Sequence, residues 1–404
     1  DEPNFITAGY SYWVAEDFRL NAEHPPVAKL LAGFPLQFIT PEPVLNTISP
    51  YWINAVDPLY MFEYQWYFSQ EFLYKSSNDA EQILFFARLP FLLIGILLGL
   101  YIYRWAKELY GTNAGLFALF LYCFCPNMLA YTQLVITDFV FTAFFLITLY
   151  YFWKWRKERK IKDVLFSGVF FGLALASKFS AIYIIPVVGV LLLTEWLLKC
   201  RDKTLDIQKQ IQRDSIGVTI ASVTALFVVA ATYFFIHARD YVLVIAFTIS
   251  RSVNGQLAYL LGNYGSQGWW YYFIVVFFSK TPSSIIILLF VLLFLLCVFK
   301  KWKRENFIDE LTLIIPPLFY FIAFMFNHIN IGIRHILPIY PFLFVFVSKA
   351  VILEFEKEQT KKMWRIILLL LLLWYAASTL FIAPHFLAFF NEFAGGPENG
   401  SNIL

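Results

Sequence analysis

Nine ionisable residues stand out because each sits in or beside a strongly apolar stretch. They are Asp1-Glu2, Glu23-His24 in NAEHPPVAKLL, Arg88 in FARLP, Asp138 in VITDF, Lys178 in ASKFS and Arg334-His335 in NIGIRHILP. Charged groups are scarce at membrane depth, and those that occur are candidates for function. A carboxylate held against a hydroxyl can take its proton. Fixed cations stabilise negative charge that grows during a reaction. Each residue also has a plainer reading. Asp1-Glu2 could be solvated loop carboxylates, and Thr137 or Asp138 could cap the helix that follows. His24 could be a structural hydrogen-bonder, and Arg88, Lys178 and Arg334 could snorkel to the interface.

The elements that must hold these residues follow from composition. Of 404 residues, 60% are hydrophobic, 20% aromatic and only 15% charged, against about a quarter charged in soluble domains. Too little polar surface remains to cover a water-soluble core, so a soluble globular enzyme is excluded, and so is disorder. The net charge of +3 carries no polyanion signal, and nucleic acid is not an expected partner. From residue 83 onward, apolar runs long enough to span or nearly span ~30 Å of hydrocarbon alternate with short loops. Their cores are 83–103, 114–131, 139–153, 164–178, 180–198, 216–236, 284–299, 311–326, 336–353 and 366–383. The fold class expected is therefore all-α, a polytopic integral membrane protein with about ten spanning helices.

Lysine and arginine set the orientation. The loops at 104–113, 154–162, 199–213, 300–304 and 357–365 hold 21 of the 31 basic residues and are assigned to the cytoplasm. The opposite set comprises 1–82, 132–138, the turn near 178–180, 237–283, 327–335 and 384–404. It is poor in basic residues, and all nine ionisable positions fall at its level. A multi-pass plasma (inner) membrane protein with an extracytoplasmic site is expected. Three regions follow: a first outer loop, 1–82, with eleven carboxylates and amphipathic surface helices; a helical membrane domain, 83–383, including the outer loop 237–283; and an outer C-terminal segment, 384–404. The aromatic cluster GWWYYF at 268–273 reads as an interface belt or a sugar platform, and GGPENG at 395–400 reads as a turn. Cys123, Cys125, Cys200 and Cys297 read as buried apolar residues, with neither a disulfide framework nor a metal-type pair.

The motif strings carry a resemblance. DEPNFITAGYSYWVAEDFRLNAEHPPVAKLLAGFPL, VITDFVFTAFF, LALASKFSAIYIIP, NYGSQGWWYYF with its following KTP, NIGIRHILPIYPF and NEFAGGPENG are similar, in order, to bacterial members of the dolichyl-phosphate-mannose–protein mannosyltransferase family. That family has the membrane GT-C glycosyltransferase fold, and the lipid A aminoarabinose transferase is related to it. Family members carry one more helix before the Asp-Glu pair and further sequence after the GGPxNG motif, so both ends are expected to be cut from a longer protein. The resemblance implies an inverting enzyme that moves a sugar from a polyprenyl-phosphate carrier to a hydroxyl of a protein, lipid or glycan.

By the same resemblance, Asp1 matches the catalytic Asp of the first loop, Glu2 completes the Asp-Glu pair and Asp138 matches the second acidic position. Glu23 and His24 match an E-[HK]-P-P element. Arg88 matches an Arg at the start of the second span, where a guanidinium would grip phosphate at two points. Lys178, Arg334 and His335 add three further positions for phosphate or substrate. No cofactor is implied beyond the lipid-linked sugar, and no His/Asp/Glu spacing matches a metal site. The rival class is a transporter or flippase for a lipid-linked or small solute. It would place binding residues at mid-membrane on broken helices, often with repeat symmetry.

Overall fold

In hydrocarbon a backbone must satisfy its own polar groups, and the helix does this within one segment. The computed structural model, which describes residues 1–21, 23–42, 61–200, 207–239, 241–242, 245, 248, 255–298 and 307–404, is accordingly all-α. Among the described residues the strands are Ala258–Leu260 and Asn263–Gly265, a short antiparallel hairpin pairing Ala258 with Gly265. The basic loop 300–304 and part of 199–213 lie outside the described residues.

The N-terminal segment contributes α1 (Glu2–Ala15), α2 (Val27–Gly33) and α3 (Met61–Gln70). An amphipathic surface helix keeps one wet face, but α1 is buried along Asn4–Tyr12. The reason is its crossing with α2. A Cβ at Gly9 would lie 1.9 Å from the Lys29 carbonyl oxygen, and one at Gly33 would lie 2.2 Å from the Gly9 backbone. Two backbones can touch only because neither glycine has a side chain. Exposed Phe34, Phe38 and Trp66 keep apolar surface on the outside of this segment.

The membrane domain follows as α4 (Ala80–Tyr110), α5 (Thr112–Cys123), α6 (Pro126–Thr132), α7 (Thr137–Glu158), α8 (Ile161–Leu175), α9 (Ile184–Cys200) and α10 (Ile207–Thr232). After the hairpin come α11 (Tyr272–Lys280), α12 (Ser283–Val298), α13 (Phe307–Met325), α14 (Ile339–Val347) and α15 (Glu358–Ile382). Each of the ten apolar cores falls on a helix or a bent pair. Among the described residues, however, five single helices are long and apolar enough to cross a membrane, or seven spans if the bent pairs α5–α6 (65°) and α11–α12 (106°) each count as one. The three others fall short for physical reasons. Every residue of α7 from Thr137 to Trp153 is buried in protein, so it can carry Thr142, Thr148, Tyr150 and Trp153 where a lipid-facing helix would be more apolar. α8 has 15 residues, about 22 Å at the helical rise. α14 with its short 3-10 extension is likewise short.

Small residues set the closest approach between α8 and α10. Gly168 and Gly172, four apart on α8, lie against Ala221 and Ala225 of α10, and added Cβ atoms would sit 2.7 and 2.6 Å from those carbonyl oxygens. This is how membrane helices pack when lipid competes for every apolar face. The basic ends of the helices are knit together by ion pairs: Arg156 with Glu195, Arg159 with Asp214, Lys157 with Asp309 and Lys349 with Glu310.

Two of the cysteines depart from the sequence reading. Cys123 and Cys297 are exposed on the outside of the bundle, whereas Cys125 is buried. A membrane helix is apolar all round, so an apolar setting does not reveal which face points inward. The side chain of Cys200 lies outside the described residues.

Candidate active site

The site assembles where α1 meets the ends of α4, α7, α8 and α13. Asp1 is the N-cap residue of α1, but its side chain makes no capping bond. Its Oδ2 instead accepts from Arg334 Nη1 at 2.8 Å. Glu2 turns the other way. Arg88 of α4 donates to it twice, Nε to Oε1 at 2.8 Å and Nη2 to Oε2 at 2.6 Å, and the Val135 backbone N–H adds a third bond at 3.0 Å. Adjacent carboxylates thus serve two surroundings, one facing a cavity and one tying α1 to α4 and to the loop before α7.

Asp138 is the second residue of α7 and forms a buried ion pair with Lys178, from the turn between α8 and the 3-10 stretch Phe179–Tyr183. Ile136 is the N-cap of α7, and no side chain caps that terminus. Neither Thr137 nor Asp138 therefore serves as the cap. Lys178 pairs with Asp138 and does not reach outward as a snorkelling lysine would.

The loop bearing Glu23 and His24 is held from beneath by Lys29. This lysine is fully buried, and its Nζ donates to Tyr12 Oη at 2.9 Å and to the carbonyls of Asn21 and His24 at 2.6 Å each. Tyr12 in turn donates to the Leu20 carbonyl. Lys29 is a residue that sequence reasoning passed over. Its signal was a lone lysine between alanine and leucine in an apolar helix.

Burial lowers Lys29 to about 7, opposed by the Glu23 charge. Burial, reinforced by the Lys29 ammonium, lowers His24 to about 3, and burial with Lys178 holds His335 well below the ordinary histidine value. Both imidazoles are therefore neutral near pH 7, and the fixed positive charge at the site comes from Lys178 and Arg334. The His335 ring stacks parallel to Phe273, and its Nδ1 is buried without a partner among the described residues.

Seven of the nine ionisable residues, Asp1, Glu23, His24, Asp138, Lys178, Arg334 and His335, line one cavity of about 340 Å³. Glu2 and Arg88 stand behind it, bound to each other. The cavity wall also includes Thr137, Ser180, Tyr183 and Asn327. Asn327 could have been noticed as a polar residue directly after an apolar run. Among the described residues, no group of three His, Cys, Asp or Glu side chains is placed to hold a metal ion.

Two neighbouring pieces shape the rim of the cavity. Tyr272 Oη accepts from the Gly332 N–H at 2.9 Å and Asn330 Oδ1 accepts from the Trp269 N–H at 2.8 Å, so part of the GWWYYF cluster braces the loop that delivers Arg334. Trp270 remains exposed. Asn391 explains the sharp break between α11 and α12. Its Nδ2 donates to the Phe278 and Thr281 carbonyls at 2.6 Å each, satisfying acceptors that the end of α11 leaves open. In GGPENG the turn is confined to Gly395 and Gly396, both at φ +79°, and Pro397–Asn402 continue as a 3-10 helix.

Comparison with known proteins agrees with this architecture. Residues 81–205 match the family described as dolichyl-phosphate-mannose-protein mannosyltransferase. The fold resembles two crystal structures of ArnT from Cupriavidus metallidurans. For the one bound to undecaprenyl phosphate the TM-score is 0.61 at 13% identity. For the apo state it is 0.58 at 14% identity. Each match covers 96% of this chain and 65% of the ArnT chain, so the chain spans just under two thirds of the length of those structures. No curated protein matches the sequence. The class defined by fold and site is a multi-pass membrane protein of the GT-C type. The stretch 81–205 is similar to that mannosyltransferase family, and the likeness to ArnT is one of fold alone.

Proposed function

We propose that this protein is a membrane glycosyltransferase that moves a sugar from a polyprenyl-phosphate carrier to an acceptor hydroxyl on the extracytoplasmic side. The observation that carries this reading is one cavity in which Asp1 and Asp138 meet Lys178 and Arg334. Both halves of an inverting displacement are provided there. The acceptor oxygen attacks the anomeric carbon as its proton passes to Asp1. The bond from that carbon to the phosphate oxygen breaks, and its electron pair leaves with polyprenyl phosphate. Arg334 and Lys178 stabilise the charge that develops on the phosphate. Asp138 holds the Lys178 ammonium in position. Arg88, whose guanidinium is engaged by Glu2, acts through the placement of α1 and not on the phosphate. The transferred group is a hexose or pentose, and the site faces outward because, along the sequence, the loops that carry its residues alternate with the basic ones.

The family match over residues 81–205 and the undecaprenyl phosphate held by the fold's ArnT relative support a polyprenyl-phosphate donor. The test is incubation of the purified protein with a panel of polyprenyl-phosphate sugars while released polyprenyl phosphate is followed. Release with one or more donors is expected. No release with any of them would overturn the reading.

A further inference from the structure

The cavity that brings Asp1 and Asp138 together is lined by polar groups of two kinds. Its charged groups are already engaged: Asp1 with Arg334, Asp138 with Lys178, and Glu23 Oε1 with Gln65 Nε2. Two of its neutral groups are not. Tyr183 and Asn327 both line the cavity. Among the described residues neither the Tyr183 hydroxyl nor the Asn327 Nδ2 has a hydrogen-bond partner, and neither atom is sealed from the cavity.

Both side chains are fixed by contacts that leave these atoms unused. The Tyr183 ring packs edge-on against Tyr320 and Phe324, with ring centres 6.1 Å apart in each case. The Asn327 backbone N–H donates to the Phe324 carbonyl at 3.0 Å, and its Oδ1 accepts from the Ile329 N–H at 2.9 Å. The second bond sets the amide: its oxygen is used in the turn, and Nδ2 has two donors to offer. Phe324 is the shared floor. Lys178 Nζ lies 5.8 Å from its ring centre, so Tyr183 and the ammonium read above as a phosphate partner stand against one aromatic ring. Phosphate oxygens carry charge and are met best by cations, whereas sugar hydroxyls are neutral, both donate and accept, and are matched by a phenol and an amide.

We propose that Tyr183 and Asn327 select the transferred sugar, and that they do so through its hydroxyl groups. The proposal rests on the glycosyl-transfer reading above and names the part of the donor that these two residues recognise. With the phosphate at Lys178 and Arg334, Tyr183 Oη pairs with one ring hydroxyl and Asn327 Nδ2 donates to the oxygen of another. A sugar that lacks one of these hydroxyls leaves a polar group of the site unpaired, a mismatch that separates otherwise similar substrates.

The experiment uses the full chain in lipid nanodiscs and direct binding rather than turnover. The probes are polyprenyl phosphate alone, polyprenyl-phosphate mannose, glucose, galactose and arabinose, and the monodeoxy forms of the sugar donor that binds most tightly. Tyr183→Phe keeps the ring contacts and removes the hydroxyl. Asn327→Ser keeps a side-chain oxygen for the Ile329 N–H and removes the amide donors. Each variant should weaken the best sugar donor by roughly three- to tenfold, the size of one lost hydrogen bond, and leave polyprenyl phosphate alone within twofold. One monodeoxy donor should lose a similar factor on the wild type and nothing further on Tyr183→Phe, a coupling that a merely structural tyrosine would not produce. Tyr183→Phe decides the matter by itself if Asn327→Ser does not fold. The proposal falls if the variants weaken polyprenyl phosphate as much as the sugar donors, if neither changes sugar-donor affinity, or if every monodeoxy donor loses as much on Tyr183→Phe as on the wild type. Failure of polyprenyl phosphate and of every sugar donor to bind would instead overturn the glycosyltransferase reading.

Discussion

At the scale of single residues, groups that line the cavity are distinct from groups that hold them in place. A base acts mainly in the transition state, so Asp1→Asn is expected to reduce turnover by roughly 10²–10⁴-fold with little change in donor KM. Arg88 behaves differently because it grips Glu2 at two points. Arg88→Lys keeps the charge but loses the fork. Turnover should fall as α1 loosens while donor KM is retained, whereas a KM rise with turnover retained would return Arg88 to the phosphate. His24 gives a pH prediction. Its folded value near 3 lies below the ordinary 6.5, so between these values the unfolded chain binds a proton that the folded chain refuses. Stability is then lost as pH falls from 6.5 towards 3. The thermal midpoint of the wild type should drop across that window more than that of His24→Gln, and parallel curves would refute this account of His24.

At the scale of elements, close backbone contacts carry the packing. Gly9→Ala would drive a Cβ into the Lys29 carbonyl, and the α1–α2 crossing must open. The expected loss is about 1–3 kcal/mol, read as a lower melting temperature, with weaker substrate binding because Lys29 carries the Glu23-His24 loop. The buried Lys349–Glu310 pair ties the 3-10 turn after α14 to the start of α13. Lys349→Ala leaves the Glu310 carboxylate buried without its cation, a loss of about 3–5 kcal/mol. A matched Lys349→Met/Glu310→Leu double variant should recover most of it. An equally unstable double variant would show that the turn is held by something else.

At the scale of the whole molecule, the charge asymmetry of the loops predicts which end of the bundle meets the cytoplasm. In a cysteine-free background, a single cysteine at position 398 should label in intact cells and one at position 158 only after permeabilisation. Labelling at 158 in intact cells would reverse the orientation and place the donor on the cytoplasmic side.

The sequence by itself determined the fold class and the run of helices. These depend on composition, run length and alternation, which are local properties of the chain. It also singled out seven residues that share a cavity, because motif order preserved them together. It could not decide their partners. Asp1 meets Arg334 across 333 positions, Glu2 meets Arg88 across 86 and Asp138 meets Lys178 across 40. Nor could it show that α1 is enclosed by its glycine crossing with α2, that Asn391 closes the bend after α11, or that Lys29 supports the loop of Glu23. Such pairings depend on which helix faces touch, and a membrane helix that is apolar on every side does not record its neighbours in its sequence pattern.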